Sequence, residues 1–198
     1  MRTSHFSLPE KTIYYNSKQK IALSRFKNYM QQLVQQAQTD HKTLVFLCIG
    51  SDRATGDCFG PLVGQALFQK IPRHIAGIAV YGSLKHPVHA LNLEETIHEI
   101  YQKHPNPYII AIDASLGVPR HIGYVSLGKG PLLPGIGVKK NLPCVGEVAI
   151  TGIVNTSGSR CHAILQTTKL STVVELADFV STGILHSLQF HSSFQGSV

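Results

Sequence analysis

Long apolar runs are missing from this chain of 198 residues: none reaches the roughly 18–20 residues that a membrane helix requires, so no membrane span is expected. The opening stretch, MRTSHFSLPEKTIYYNSKQK, lacks the apolar core of an export signal. Cys48, Cys58, Cys144 and Cys161 form no CxxC pair, and a chain of this length buries a sizeable core without bridges. Reduced thiols and a cytoplasmic location are the expectation. The 11 histidines make no HExxH pattern, and the glycines of GKGPLLPGIGVK match neither a Walker loop nor GxGxxG after a strand. A resident metal and a nucleotide cofactor are therefore not expected.

Acidic residues are scarce as well, 11 against 18 Lys and Arg, for a formal charge of +7. Such a balance invites a nucleic-acid reading, but its distribution argues otherwise. Arg2, Lys11, Lys18, Lys20, Arg25 and Lys27 stand against Glu10 alone in the first 30 residues, a net of +5. The other 168 residues hold 12 basic and 10 acidic side chains, a net of +2. A nearly neutral body with a basic leading segment does not make nucleic acid the expected partner. Two units are expected: residues 1–40, a basic arm and a helix packing on the body, and residues 41–198, one α/β domain.

The arm reads as irregular to about residue 16. Leu23, Phe26, Met30, Leu33, Val34 and Ala37 then recur at helical spacing across 17–39. Continuous apolar runs at 44–50 (LVFLCIG), 75–82 (IAGIAVYG) and 107–115 (PYIIAIDAS) suit strands covered on both faces. Helices are expected after Pro61 and at 93–103, the second opened by Asn92 and Glu95 as a capping box. Residues 122–128 suit an antiparallel or edge strand, and 128–143 a long Gly/Pro loop. A strand at 147–154, a short helix at 160–168 and an amphipathic helix at 170–190 complete the chain, whose last residues look frayed. Strands alternating with helices define an α/β fold, a mainly parallel sheet of about five strands.

In such sheets, sites form in the crevice beyond the carboxyl ends of the strands. That rule singles out Asp52, Thr55 and Asp57 after the first body strand, and His86 and His89 after the second. It adds Asp113 and Ser115 at the third, and Asn155 after residue 147. Asp113 follows YIIAI, where an ionised carboxylate is costly without partners. Its plainer role is bonding to backbone amides. Asp57 precedes Phe59-Gly60-Pro61 and could instead serve the helix N-terminus. If the first and third strands are neighbours, the two carboxylates face one crevice, where a shared site separates them into acid and base. His86 or His89 could complete a metal-binding carboxylate set, or be ordinary solvated loop residues. Cys58 has no orienting His placed by the sequence and reads as a small buried residue.

CIGSDRATGDCFGPLVG, VYGSLKHPVHALNLEET, IIAIDASLG and GPLLPGIGVKKNLPCVGEVAITGIVNTSG together resemble the YyaC-type sporulation proteins of spore-forming bacteria, over about residues 43–160. That family is similar to the spore germination protease, which cleaves small acid-soluble spore proteins, and more distantly to hydrogenase maturation endopeptidases. The resemblance implies their three-layer α/β sandwich, also described as phosphorylase/hydrolase-like. It also implies an aspartic-type peptidase acting on a protein or peptide substrate in the sporulating cell or forespore. Asp57-Cys58-Phe59-Gly60-Pro61 fits the germination protease's D-x-x-G-P motif, and Ile112-Asp113-Ala114 its I-D-A motif. Those two positions would be catalytic, with Asp52, Thr55, Ser115, His86, His89 and Asn155 around the substrate. Residues 128–146 contain no His, so the nickel reading of the hydrogenase relatives does not carry over. A catalytically silent relative that binds a partner in the same crevice is the competing expectation, with metal-assisted hydrolysis the third.

Overall fold

The computed structural model describes residues 12–72, 75–134 and 142–188. Most of the basic arm before residue 12, part of the Gly/Pro loop and the chain's last ten residues lie outside them. The elements, in order, are β1 (Ile13–Asn16), α1 (Lys20–Thr39), β2 (Thr43–Cys48), α2 (Phe59–Lys70), β3 (Ile78–Tyr81), α3 (Leu93–Lys103), β4 (Pro107–Gly117), β5 (Tyr124–Lys129), β6 (Val148–Thr156), α4 (Cys161–Gln166) and α5 (Leu170–Leu188). A 3₁₀ turn, Thr55–Cys58, leads into α2.

The six strands form one sheet in the order β1-β5-β6-β4-β2-β3. β3, β2, β4 and β6 run parallel, while β5 and β1 are antiparallel to their neighbours. β1 is the strand beyond the expected five. Its four residues, IYYN, include the strand formers Ile and Tyr but make too short a run to stand alone, and pairing with β5 over Ile13–Asn16 defines it. The antiparallel setting of β5 agrees with the sequence reading.

Alternation along the strands sorts the core into two halves. Phe46, Cys48, Ile110, Ile112, Val148 and Ile150 face α1, α2 and α5 in the larger one. Val45, Leu47, Ile49, Ile109 and Ala111 face α3 and the Leu132–Val145 bridge in the smaller. Both expected units contribute to the larger half, since Phe26 of α1 packs on Phe179 of α5 with ring centroids 5.4 Å apart. Gly60 lets α2 lie directly on the end of β2: a Cβ there would collide with the Ile49 carbonyl.

The connections place the crevice. β2 leads through α2 to β3 on one side, and β3 leads through α3 to β4 on the other side of β2. The winding therefore reverses between the carboxyl ends of β2 and β4, which is where open α/β sheets bind ligands.

Candidate functional site at the carboxyl ends of β2 and β4

β2 pairs with β4 from Thr43↔Pro107 to Cys48↔Ile112, and the Ile49 amide continues the ladder by donating to the Ile112 carbonyl at 2.7 Å. The condition set by the sequence, that these two strands be neighbours, is met. Asp113 is the first residue of β4 beyond the end of β2, and Asp57 lies on the loop that leaves β2.

Asp57 sits in the 3₁₀ turn and is partly exposed. Its Oδ2 accepts a hydrogen bond from the Ser51 hydroxyl at 2.9 Å, while its carbonyl accepts the Ser51 amide at 3.2 Å. The N-cap of α2 is Cys58, with no side-chain capping hydrogen bond, and Asp57 is the acidic residue of the 3₁₀ turn just before the helix. Gly50 makes this close loop feasible: its φ is +138°, and a Cβ there would strike the Asp57 carbonyl.

Asp113 is 8% exposed. Its Oδ1 accepts the Ala114 amide at 2.7 Å, a bond that offsets part of the cost of burying the carboxyl group. It lies on the α3 side of the sheet, in register with Thr151 of β6, which is in register with Ser126 of β5. The Thr151 and Ser126 hydroxyls are 2.7 Å apart, and Ser115 Oγ donates to Thr151 Oγ1 at 3.3 Å. A row of hydroxyls thus continues across the sheet from Asp113. A bulge between Ser115 and Leu116 re-aims the end of β4 beside it.

Thr151 and Ser126 were not among the residues chosen from the sequence. Each is the polar member of an otherwise apolar stretch, Val148-Ala149-Ile150-Thr151 and Val125-Ser126-Leu127, a signal that alternation offers once the register is known.

The other candidates are distributed. Asp52 is exposed near Cys58, whose thiol is pushed up by burial first and then by the Asp52 and Asp57 carboxylates; a thiolate is disfavoured there. Asp52 and Arg53 are both exposed and make no ion pair with each other. Thr55 opens the 3₁₀ turn. The Asn155 amide is engaged by α4 and the turn after it, donating to the Ile164 carbonyl at 3.3 Å and to Thr168 Oγ1 at 3.2 Å. His86 and His89 line a groove at β3, and Val88 between them pairs with Ile49 at the end of β2. Among the described residues no three His, Cys, Asp or Glu side chains gather as a metal site would require.

The capping box expected at Asn92 is replaced by another use of the same side chain. Asn92 Oδ1 accepts the His89 amide at 2.8 Å and Nδ2 donates to the Pro87 carbonyl at 3.1 Å, so it braces the preceding loop.

The fold and crevice define a doubly wound α/β protein with two aspartates flanking its topological switch point. A family model described as a protein of unknown function (DUF1256) matches residues 13–183, and the chain belongs to that family. The uncharacterized protein YyaC of Bacillus subtilis (strain 168) is 46% identical over 143 residues, 72% of this chain and 68% of that one. The crystal structure of a [NiFe] hydrogenase maturation protease, HycI from Thermococcus kodakarensis KOD1, aligns with a TM-score of 0.49 at 18% identity, over 75% of this chain and 94% of that one. Among the described residues no helix is long and apolar enough to cross a membrane.

Proposed function

We propose that this chain is a peptidase that hydrolyses a protein or peptide substrate with Asp57 and Asp113, and that its setting is the cytoplasm of a sporulating cell. The observation that carries the reading is the position of the two carboxylates: Asp113 at the end of β4 and Asp57 on the loop leaving adjacent β2, on either side of the switch point. In the proposed reaction one carboxylate removes a proton from water as the oxygen attacks the scissile carbonyl. The other, protonated, donates to the leaving amine, so the C–N bond breaks as the two groups exchange roles. Ser51 orients Asp57, and the Ala114 amide orients Asp113. The hydroxyls of Thr151 and Ser126 offer partners to the substrate's main chain along the open part of the sheet.

The test is cleavage of small acid-soluble spore proteins by the purified chain, beside Asp57→Asn and Asp113→Asn, with and without a chelator. Cleavage by the parent that persists in chelator and falls by about 10²–10⁴ in either variant supports the reading. No cleavage in the parent sinks it in favour of a binding role for the crevice. Loss of cleavage on chelation, restored by one divalent ion, replaces it with metal-assisted hydrolysis.

A further inference from the structure

β3 is the outer strand of the sheet, and a groove of about 560 Å³ lies against it. Its floor is Val80, Tyr81 and Gly82; Phe68 of α2 borders it from one helical layer and Glu99 of α3 from the other. This is the slot, between the two layers, that a seventh strand would occupy. The Gly77 carbonyl accepts the Leu44 amide at 2.8 Å and so faces β2. Alternation then turns the N–H and C=O groups of Ile78 and Val80 away from β2, to the outer side of the strand, and Val80 lines the groove. Among the described residues no turn, loop or side chain bonds to them. Natural sheets usually cover or charge such an edge, and this one opens onto a formed cavity.

The groove has a sign. Lys85, His86 and His89 line it, and its carboxylate, Glu99, is already paired with Lys103 at 2.6 Å. Lys85 has no acidic partner among the described residues. The groove also leads to the crevice: Val88 lines it, the Val88 carbonyl accepts the Gly50 amide at 2.7 Å, and Ser51 next in the chain holds Asp57. A chain lying along β3 toward its carboxyl end would arrive beside the Asp57 loop.

We infer that the free edge of β3 takes up an extended, acidic segment of a polypeptide by strand addition, with Lys85 and the two histidines receiving its acidic side chain. The inference rests on the peptidase reading for its purpose, since it names how that substrate is held. Main-chain bonds to Ile78 and Val80 supply affinity without regard to sequence, and the basic loop supplies the preference.

The probe is a fluorescein-labelled heptapeptide alternating valine and aspartate, titrated by anisotropy against the full chain carrying Asp57→Asn. Its companions are a version with lysine for aspartate and two versions N-methylated on alternate amides. The acidic peptide is expected to bind and the lysine peptide to bind at least tenfold more weakly. One N-methylated form should lose binding while the other keeps it, because only one edge of an added strand faces β3. Lys85→Glu, an exposed substitution, should weaken the acidic peptide about tenfold and favour the lysine peptide. Bound peptide should slow amide exchange at Ile78 and Val80. Absence of binding by the acidic peptide, equal binding of both N-methylated forms, or exchange protection at β1 instead of β3 would overturn the inference. Binding at β3 without cleavage by the parent counts against the peptidase reading alone; cleavage without binding at β3 counts against this inference alone.

Discussion

The face of the sheet turned to α1, α2 and α5 and the face turned to α3 are made by the same strands with different residues. On the first, Phe46, Cys48, Ile110, Ile112 and Ile150 are fully buried, and three helices cover them. On the second, Val45, Leu47, Ile109 and Ala111 are buried in the α3-side cluster, and the next residues along that face are Asp113, Ser115, Thr151 and Ser126. β4 records the change in its own sequence, buried from Pro107 to Asp113 and only partly so from Ala114 to Gly117. Apolar burial on one side fixes the strands rigidly enough for polar groups on the other to be held in register. A site on such a sheet can be built where cover ends, at little cost to the core.

Substitutions on the two faces should therefore separate stability from activity. Phe46→Ala, in the covered face, is expected to cost about 3–5 kcal/mol, seen as a lower urea midpoint; a loss below about 1 kcal/mol would mean this core is not the one that holds the sheet. Thr151→Val, on the other face, removes a hydroxyl from the Ser115–Thr151–Ser126 row and should cost only about 1 kcal/mol while lowering peptide cleavage. Equal cleavage by that variant and the parent would confine the row to structure.

The smallest effect concerns how α3 is attached. His104 closes α3 and its Nε2 lies 3.2 Å from the Tyr81 hydroxyl on β3. Burial, and then the neighbouring Lys103, hold its pKa below the ordinary histidine value. Protonation therefore opposes folding: this contribution is fully present above about pH 6.5, declines as the pH falls through that value, and levels off below the folded pKa. Thermal unfolding scans between pH 8 and 5 should show a shallower decline for His104→Gln than for the parent.

The parts of this architecture that could be read from the sequence are those that local chemistry dictates. LVFLCIG and PYIIAIDAS announce strands covered on both faces, and a carboxylate closing the second run marks Asp113 before any neighbour is known. β1 could not be read, since its residues become a strand only through β5. Asn92 and Glu95 have the spacing of a capping box, yet the loop from Pro87 to His89 competes for the Asn92 side chain. Thr151 and Ser126 escaped because register is a relation between strands 25 residues apart. For the same reason the sequence could nominate His86 and His89 for a site but could not show that they line a groove at β3.

Whether Asp57 and Asp113 work on one water is tested most directly by combining their Asn substitutions and measuring kcat/KM for one cleaved peptide, with folding checked by circular dichroism. Two carboxylates acting as a unit predict that the double variant is no slower than the slower single variant. Losses that multiply, or a single variant that cleaves as well as the parent, would contradict a shared site at the ends of β2 and β4.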